Sequence, residues 1–473
     1  MKLLKRAWSW FDDRTGLSET LGPVARHPVP PNTGWKYVFG SAILFAFVLQ
    51  VVTGMALATA YISSAGEAYH ALQFISKDAA WGPLLRGMHY FGASAMVLLV
   101  GVHMLRTYLT GSYKFPREMN WLSGVLLLGL TILMGFTGQL LRWDQNGVWS
   151  TIVAAEQAGR VPLLGHWMAR FILGGQTVGG ATLSRFFAFH VFFIPALIFI
   201  FVGFHLYLVV RHGISEPPVA GRPVDPRTYR TWYEDMLKRS GVPFWPDAAW
   251  RDAVFGVLVL GAIIALAMIV GAPELTKPPD PTIIQAYPRP DWYLLWYFAV
   301  LAQLPHGTES YVIVLAPVLA GLVLVLLPFL FSRGERSPAR RPWAVAIVVL
   351  VVMMVGTLWV AGEKSPWSPD FAAKPLPAAV VSASNSAARN GAQLFFKKGC
   401  EYCHTISGQG GKRGPDLTDV GSRLTRDQIT IRILNGGTNM PAFAGNLSAG
   451  ELNDLVAFLE TRTEIRTANQ QPR

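Results

Sequence analysis

Cys400, Cys403 and His404, in "GCEYCHTIS" (399–407), are residue types at a spacing that can hold an iron porphyrin. C-x-x-C-H is the attachment pattern of a c-type haem. Each thiol can form a thioether to one vinyl group, and His404 then reaches the iron. A methionine as second axial ligand raises the reduction potential, and Met440 in "GTNMPAFAG" follows downstream beside a proline. A redox dithiol or half of a zinc site is the competing reading. Both lose ground because the 473 residues contain only these 2 cysteines and because the adjacent histidine is what sets the haem pattern apart. With both cysteines committed, no disulfide framework remains.

Four of the ten histidines lie in long apolar runs. His89 and His103 are 14 residues apart, and His190 and His205 are 15 apart. At helical rise these separations are about 21 and 22 Å. Ionisable groups at membrane depth are costly and rare. One such histidine is readily explained as a hydrogen-bonded structural residue, but four at matched depths are not. Facing helices would pair His89 with His190 and His103 with His205, clamping two non-covalent b haems one above the other. Gly40 and Gly54 repeat the 14-residue spacing, as do Gly124 and Gly138. Glycines alone usually report close helix packing. Sharing the histidine spacing, they point to flat porphyrin faces lying against these helices.

The composition supplies the elements that must hold such groups. Apolar residues make up 51% of the chain and charged ones 15%, and mean hydropathy is +0.33, which indicates a membrane protein. The net charge of +12 resides in loops between apolar runs, so it reads as membrane orientation rather than nucleic-acid binding. Seven runs are long enough to cross a bilayer, near 37–61, 87–110, 120–141, 187–210, 252–271, 311–332 and 342–361. "WYLLWYFAVLAQL" (292–304) is too short and reads as an interfacial helix, as does the mixed segment 146–185. Lys and Arg concentrate in the N-terminal segment and in the loops after spans two, four and six, which marks that face as cytoplasmic. An odd number of spans then delivers the C-terminus outside, where haem attachment of this kind occurs. The polar N-terminus shows no secretory signal, so the first span would direct insertion. The expected location is a bacterial cytoplasmic membrane.

The divisions expected are 1–220, a dihaem four-helix bundle; 221–361, three further spans; 362–387, a Pro/Ala/Ser-rich linker; and 388–473, a small helical domain. The fold class is all-α: a seven-span transmembrane helical protein plus a small all-α cytochrome c domain.

Residues 388–463 resemble a class I monohaem cytochrome c, whose His-side loop "RGPDL" (413–417) matches, implying that Pro415 packs near His404. Residues 1–361 resemble the cytochrome b of quinol–cytochrome c oxidoreductases. The 15-residue spacing, "LRWDQNGVW" (141–149) and "RHGISEPP" (211–218) lean towards the chloroplast-type form, with its two chains fused here. That form attaches an extra haem through a cysteine near the first span, whereas "WKYVFGS" (35–41) has none, so no covalent extra haem is expected.

Pro290-Asp291-Trp292-Tyr293 matches the family's P-E-W-Y signature with Asp in place of Glu. The resemblance implies that Asp291 accepts a quinol proton and that Tyr293 lines the pocket, with Trp292 structural. The family's low-potential quinone users show such variants, so menaquinol is the expected substrate. Arg86 is a candidate partner of haem propionates, or else a snorkelling arginine. Arg211, His212 and Asp235 are candidates for an inner quinone site near His103 and His205, or else plain positive-inside polarity. The implied chemistry sends one quinol electron through the b haems to an inner quinone. The other goes to a separate Rieske iron–sulfur protein, then to the c haem, and on to a soluble cytochrome c or terminal oxidase. The resemblance also implies a dimer that includes the Rieske protein. Two other classes compete. A dihaem b anchor relaying electrons between a dehydrogenase and the quinone pool would lack the P-D-W-Y element and three of the spans. A haem-based membrane sensor would need an output domain, and nothing here resembles one.

Overall fold

A computed structural model describes residues 2–279, 289–305, 308–364, 373–378, 380–381, 385–412, 414–436, 440 and 443–463. The chain divides into two compact units, Met1–Trp359 and Val360–Arg473.

Among the described residues, seven helices are long and apolar enough to cross a membrane. These are span one (Phe39–Ala58), two (Gly82–Leu109), three (Glu118–Leu140), four (Gly180–His212), five (Phe244–Ile269), six (Glu309–Leu330) and seven (Pro342–Lys364). Even the shortest, at 20 residues, spans about 30 Å of hydrocarbon. Span one shows why they pack as they do. Ala42, Ala46 and Thr53 are buried against neighbours, while Val48, Val52 and Met55 point outward. Small residues let backbones approach, and large apolar ones suit lipid. Span one packs on two, three on four, and five against one and two. Between them Ala42, Ala46, Phe47, Met96, Leu99, Leu130, Ile194 and Ile198 form an apolar core.

Shorter elements close the ends. Gln145–Gly159 begins on Asp144, whose carboxylate accepts from the Gly147 amide at 2.9 Å. Gly165–Leu173 and the opening turns of span four complete the segment expected to be interfacial. A 3₁₀ turn, Trp292–Leu294, leads into Leu295–Gln303, too short to span.

The loops after spans two, four and six converge on a buried ionic network. Arg117 donates from Nε to Gly213 O at 2.9 Å and from Nη1 to the Tyr229 hydroxyl at 2.8 Å. Tyr229 donates to Glu216 at 2.6 Å, and Glu216 also pairs with Arg336. Lys114 donates to the carbonyls of Phe331 and Arg333, and burial pushes its ammonium down to about 8. Several cations of the loop charge pattern are thus spent on tying loops together.

In the second unit, Ser386–Lys397 packs against Ala449–Glu460, and Gly391 permits the approach because a Cβ there would strike the Asp454 carbonyl. Arg426–Asn435 and Ala449–Glu460 both start in reciprocal caps, Thr425 with Gln428 and Ser448 with Glu451. Phe395, Ile406, Ile429, Ile433, Leu455 and Phe458 form the core. Leu376, Val380 and Val381, from the stretch whose composition reads as linker, pack on that core. The Leu376 amide donates to Glu401 at 3.1 Å, and Arg462 donates to Val380 O at 2.6 Å. Linker residues 365–372, 379 and 382–384 lie outside the described residues.

Glu216→Ala would leave Arg336 as a buried charge without its carboxylate, a change that costs about 3–5 kcal/mol. The expected outcome is a lowered thermal midpoint in detergent, followed through visible absorbance. An unchanged midpoint would show that the network does not hold the loops.

Candidate functional site

The four membrane histidines stand in two levels. At one level the imidazoles of His89 and His190 face each other, with ring centroids 6.2 Å apart and planes at 75°. At the other, His103 lies within electrostatic range of His205. Met96 and Leu99 of the apolar core fill the space between levels.

Each glycine of the spaced set opens onto one of these rings. A Cβ at Gly54 would lie 3.2 Å from His89, and one at Gly40 would lie 3.3 Å from His103. The corresponding distances are 2.7 Å from Gly138 to His190 and 3.7 Å from Gly124 to His205. The helices are therefore bare where the rings approach.

The residue before three of those glycines is a hydroxyl that fixes the ring. Thr53 Oγ1 lies 3.0 Å from His89 Nδ1, Thr137 Oγ1 3.1 Å from His190 Nδ1, and Ser123 Oγ 2.8 Å from His205 Nδ1. Each hydroxyl donates its own proton to a carbonyl of its helix, Leu49, Leu133 and Asn120 respectively. It must therefore accept from the imidazole. That places the proton on Nδ1 and leaves the Nε2 lone pair free, the state in which a histidine ligates a metal. The donor set and the bare glycine faces fit a bis-imidazole haem at each level.

Span four differs from span two by one residue between its histidines. Fifteen residues of pure α-helix would turn about 60° beyond whole turns. The backbone over Phe189–Phe193, which includes His190, is instead a π-turn. This wider turn absorbs the additional residue at a position where such bulges commonly serve function.

In the second unit His404, Cys400 and Met440 line one apolar cleft with Phe395, Leu417, Ile433, Phe443, Leu455 and Leu459. His404 Nδ1 lies 2.8 Å from Pro415 O, so it is the donor and Nε2 is again free. Gly414 is required there, since a Cβ would lie 2.5 Å from the His404 ring. Burial pushes the Cys400 thiol up to about 12, the opposite of what a reactive dithiol needs. The apolar cleft that brings Cys400 and His404 to Met440 fits a covalently attached haem. Arg413 and Pro441, which flank the quoted loops, lie outside the described residues.

Asp291 and Tyr293 form a third site. The Tyr293 hydroxyl donates to Asp291 Oδ2 at 3.3 Å. Burial raises the Asp291 carboxyl above the usual range, opposed by the Arg142 guanidinium and by Tyr293. Burial, and after it Asp291, raises the Tyr293 phenol. Trp292 Nε1 donates to Ser94 at 3.2 Å.

Other expected residues stand apart. Arg86 donates to Pro273 O at 2.7 Å. Arg211 and Asp235 are exposed, while the backbone carbonyl of His212 accepts from Arg117 at 3.1 Å. Sequence reasoning passed over Gly135, where a Cβ would collide with the Tyr293 hydroxyl. It also passed over the Thr/Ser–Gly pairs, which were visible as dipeptides.

Paired imidazole levels in the helical bundle of the first unit, and in the second unit a cleft lined by Cys400, His404 and Met440, fit the class of membrane electron-transfer cytochromes. Residues 24–213 match the family model Cytochrome b/b6/petB, and residues 278–380 match Cytochrome b(C-terminal)/b6/petD. Residues 386–459 match Cytochrome C oxidase, cbb3-type, subunit III. Cytochrome b of Allochromatium vinosum is 32% identical over 373 residues, 74% of this chain and 87% of that protein. Cytochrome b6 of Synechococcus elongatus is 36% identical over 214 residues, 45% of this chain and 100% of that one. The structure titled Hyperthermophilic respiratory Complex III is similar at TM-score 0.65 and 28% identity, over 75% of this chain and 91% of that one. The chain belongs to the cytochrome b family and carries a fused cytochrome c domain. It is an integral membrane electron-transfer subunit of haem b and haem c type.

Gly135→Val should displace the Tyr293 phenol while leaving the imidazole levels intact. On the expectation that Tyr293 lines a quinol pocket, the result is at least about a tenfold loss in kcat/KM for quinol-driven reduction of the c haem, with unchanged b-haem spectra. Wild-type turnover would remove Tyr293 from the pocket.

Proposed function

We propose that the chain is the haem-bearing subunit of a quinol:cytochrome c oxidoreductase. The observation that carries this reading is the two stacked imidazole pairs in one chain with the Asp291–Tyr293 pair. A dihaem anchor needs the first alone. The proposed cofactors are two non-covalent b haems, held by His89 with His190 and by His103 with His205, and one c haem, held by Cys400, Cys403, His404 and Met440. When bound, these groups carry single electrons, the b pair across the bilayer and the c haem along the high-potential branch.

The residues of the chain do the rest. Asp291 accepts a proton from quinol, menaquinol by the shorter carboxylate, and Tyr293 orients that carboxylate. Thr53, Thr137 and Ser123 hold the imidazoles in the ligating tautomer. An inner quinone is reduced near His103 and His205, with Arg211 and His212 at that end of span four. The high-potential electron requires an iron–sulfur partner, because both cysteines here are committed. A Rieske protein is that partner, within a homodimeric complex, and a soluble cytochrome c or terminal oxidase drains the c haem. The proposed setting is a bacterial cytoplasmic membrane, with the N-terminus inside, the c domain outside and protons released outward. Pro415 and Arg86 are proposed to steady His404 and the outer haem edge.

The test is a pyridine haemochrome assay with inhibitor kinetics on the purified complex. Two b haems and one c haem per chain are expected, with antimycin- or stigmatellin-sensitive reduction of the c haem by quinol. His103→Leu should remove one b haem and leave the c signal. Retention of both b haems in that variant, or insensitivity to both inhibitors, would sink the reading.

A further inference from the structure

The chain on either side of the stretch that leads to Asp291 is fastened to one place, the end of span three and the turn that follows it. Upstream, the Thr276 amide donates to the fully buried carboxylate of Asp144 at 3.0 Å, and the Gln145 amide donates to Lys277 O at 2.9 Å. Arg142 donates to the same carboxylate at 2.6 Å and to Glu274 O at 3.0 Å. Downstream, the Arg289 amide donates to Asn146 Oδ1 at 3.2 Å, and the Arg289 carbonyl accepts from Gln139 Nε2 at 3.4 Å. Two carboxamides thus hold the N–H and the C=O of one residue. Pro290 comes next in the sequence; it fixes its own φ and restricts the residue before it. Holding Arg289 therefore sets where Asp291 stands.

Beyond Asp291 the same face of span three is used again. Gly135 lies one turn from Gln139, about 6 Å along the helix, and the Tyr293 hydroxyl rests against it. Trp292 is tied to span two through Ser94 at 3.2 Å. Residues 289, 292 and 293 are thus held by span two, span three and Gln145–Gly159, with Asp291 between them. The Asp291 side chain is not spent on this framework. It stands at the N-cap of the turn Trp292–Leu294, where an aspartate ordinarily accepts from a backbone amide, yet it makes no capping bond. Its oxygen accepts from Tyr293 at 3.3 Å instead.

We infer that Asn146 and Gln139 are positioning residues for Asp291: a pair of carboxamides that hold the Arg289 backbone where an aspartate, one methylene shorter than glutamate, reaches the quinol pocket. The inference rests on the proposed role of Asp291 and adds what sets its reach. Neither carboxamide ionises, so both act through Asp291 rather than on quinol. Asn146 and Gln139 stand on helices, which hold a side chain more precisely than a loop does. The loop residue Asp291 borrows that precision through the Arg289 peptide groups.

The experiment measures kcat and KM for quinol-driven reduction of the c haem in the intact complex, with the b-haem spectra checking that the imidazole levels are in place. Asn146→Ala and Gln139→Leu each release one side of the grip on Arg289. Each is expected to lower kcat by about tenfold or more with KM unchanged, since a misplacement near 1 Å costs on the order of a hundredfold. The decisive change is Asp291→Glu, which adds one methylene. With the grip intact it should not raise kcat; combined with Asn146→Ala or Gln139→Leu it should recover part of the loss. Should Gln139→Leu fail to assemble, the half-buried Asn146 position decides alone. A wild-type kcat in both release variants, a loss confined to KM, or the same Asp291→Glu factor in gripped and released backgrounds overturns the inference. Asp291→Asn separates the two layers. If it turns over like wild type, the proposed role of Asp291 itself falls. If it loses turnover while the release variants keep it, only the grip falls.

Discussion

The structure depends on hydrogen bonds that imidazoles donate to hydroxyls at membrane depth. An imidazole in hydrocarbon must present one particular nitrogen, and nothing in lipid can choose which. Thr53, Thr137 and Ser123 choose it, because each has already given its proton to a carbonyl one turn back. The glycine that follows each hydroxyl strips the helix of side chain beside the ring it has just oriented. A two-residue unit therefore sets both the tautomer and the clearance. Its repetition fixes the pairing of spans one with two and three with four.

From that constraint the rest of the first unit follows. Rings at two levels require straight, closely packed helices, which the buried small residues of span one permit. The apolar core at Met96, Leu99, Leu130 and Ile198 separates the levels with packed side chains rather than polar groups. The ionic networks described above lie at the ends. At one end Arg117, Tyr229, Glu216 and Arg336 join three loops, and at the other Arg142 and Asp144 join two. Each network pairs a cation with a carboxylate that neighbours also hydrogen-bond, which lowers the cost of burying charge.

How much of this was legible depended on whether the signal was local. The seven spans and their order could be read because hydropathy is a property of consecutive residues. The histidine and glycine levels were legible because helical rise turns spacing into depth. The C-x-x-C-H motif announced the chemistry of the second unit within five residues. Other features hid for stated reasons. Glu216 meets Arg336 across 120 positions, and Arg336 reads in the sequence as one more loop cation. Gly135 carries no period that marks it, and its meaning appears only when Tyr293 arrives from 158 positions away. The Thr–Gly and Ser–Gly pairs were in plain view, but which neighbour accepts a ring proton is decided by the helix alongside. Leu376, Val380 and Val381 sat in a stretch whose proline and serine content concealed that they pack on a core.

The π-turn at Phe189–Phe193 bears on how such a helix can change length. A residue added to a membrane helix ordinarily rotates everything beyond it, which would carry His205 away from its level and swing the end of span four off its neighbours. Here the surplus is confined to one widened loop of backbone, and the following turns resume α-geometry from Ile194 onward. The helix therefore tolerates an odd residue as a local blister, and the two imidazoles below and within it keep a common bearing although the count between them differs from that of span two.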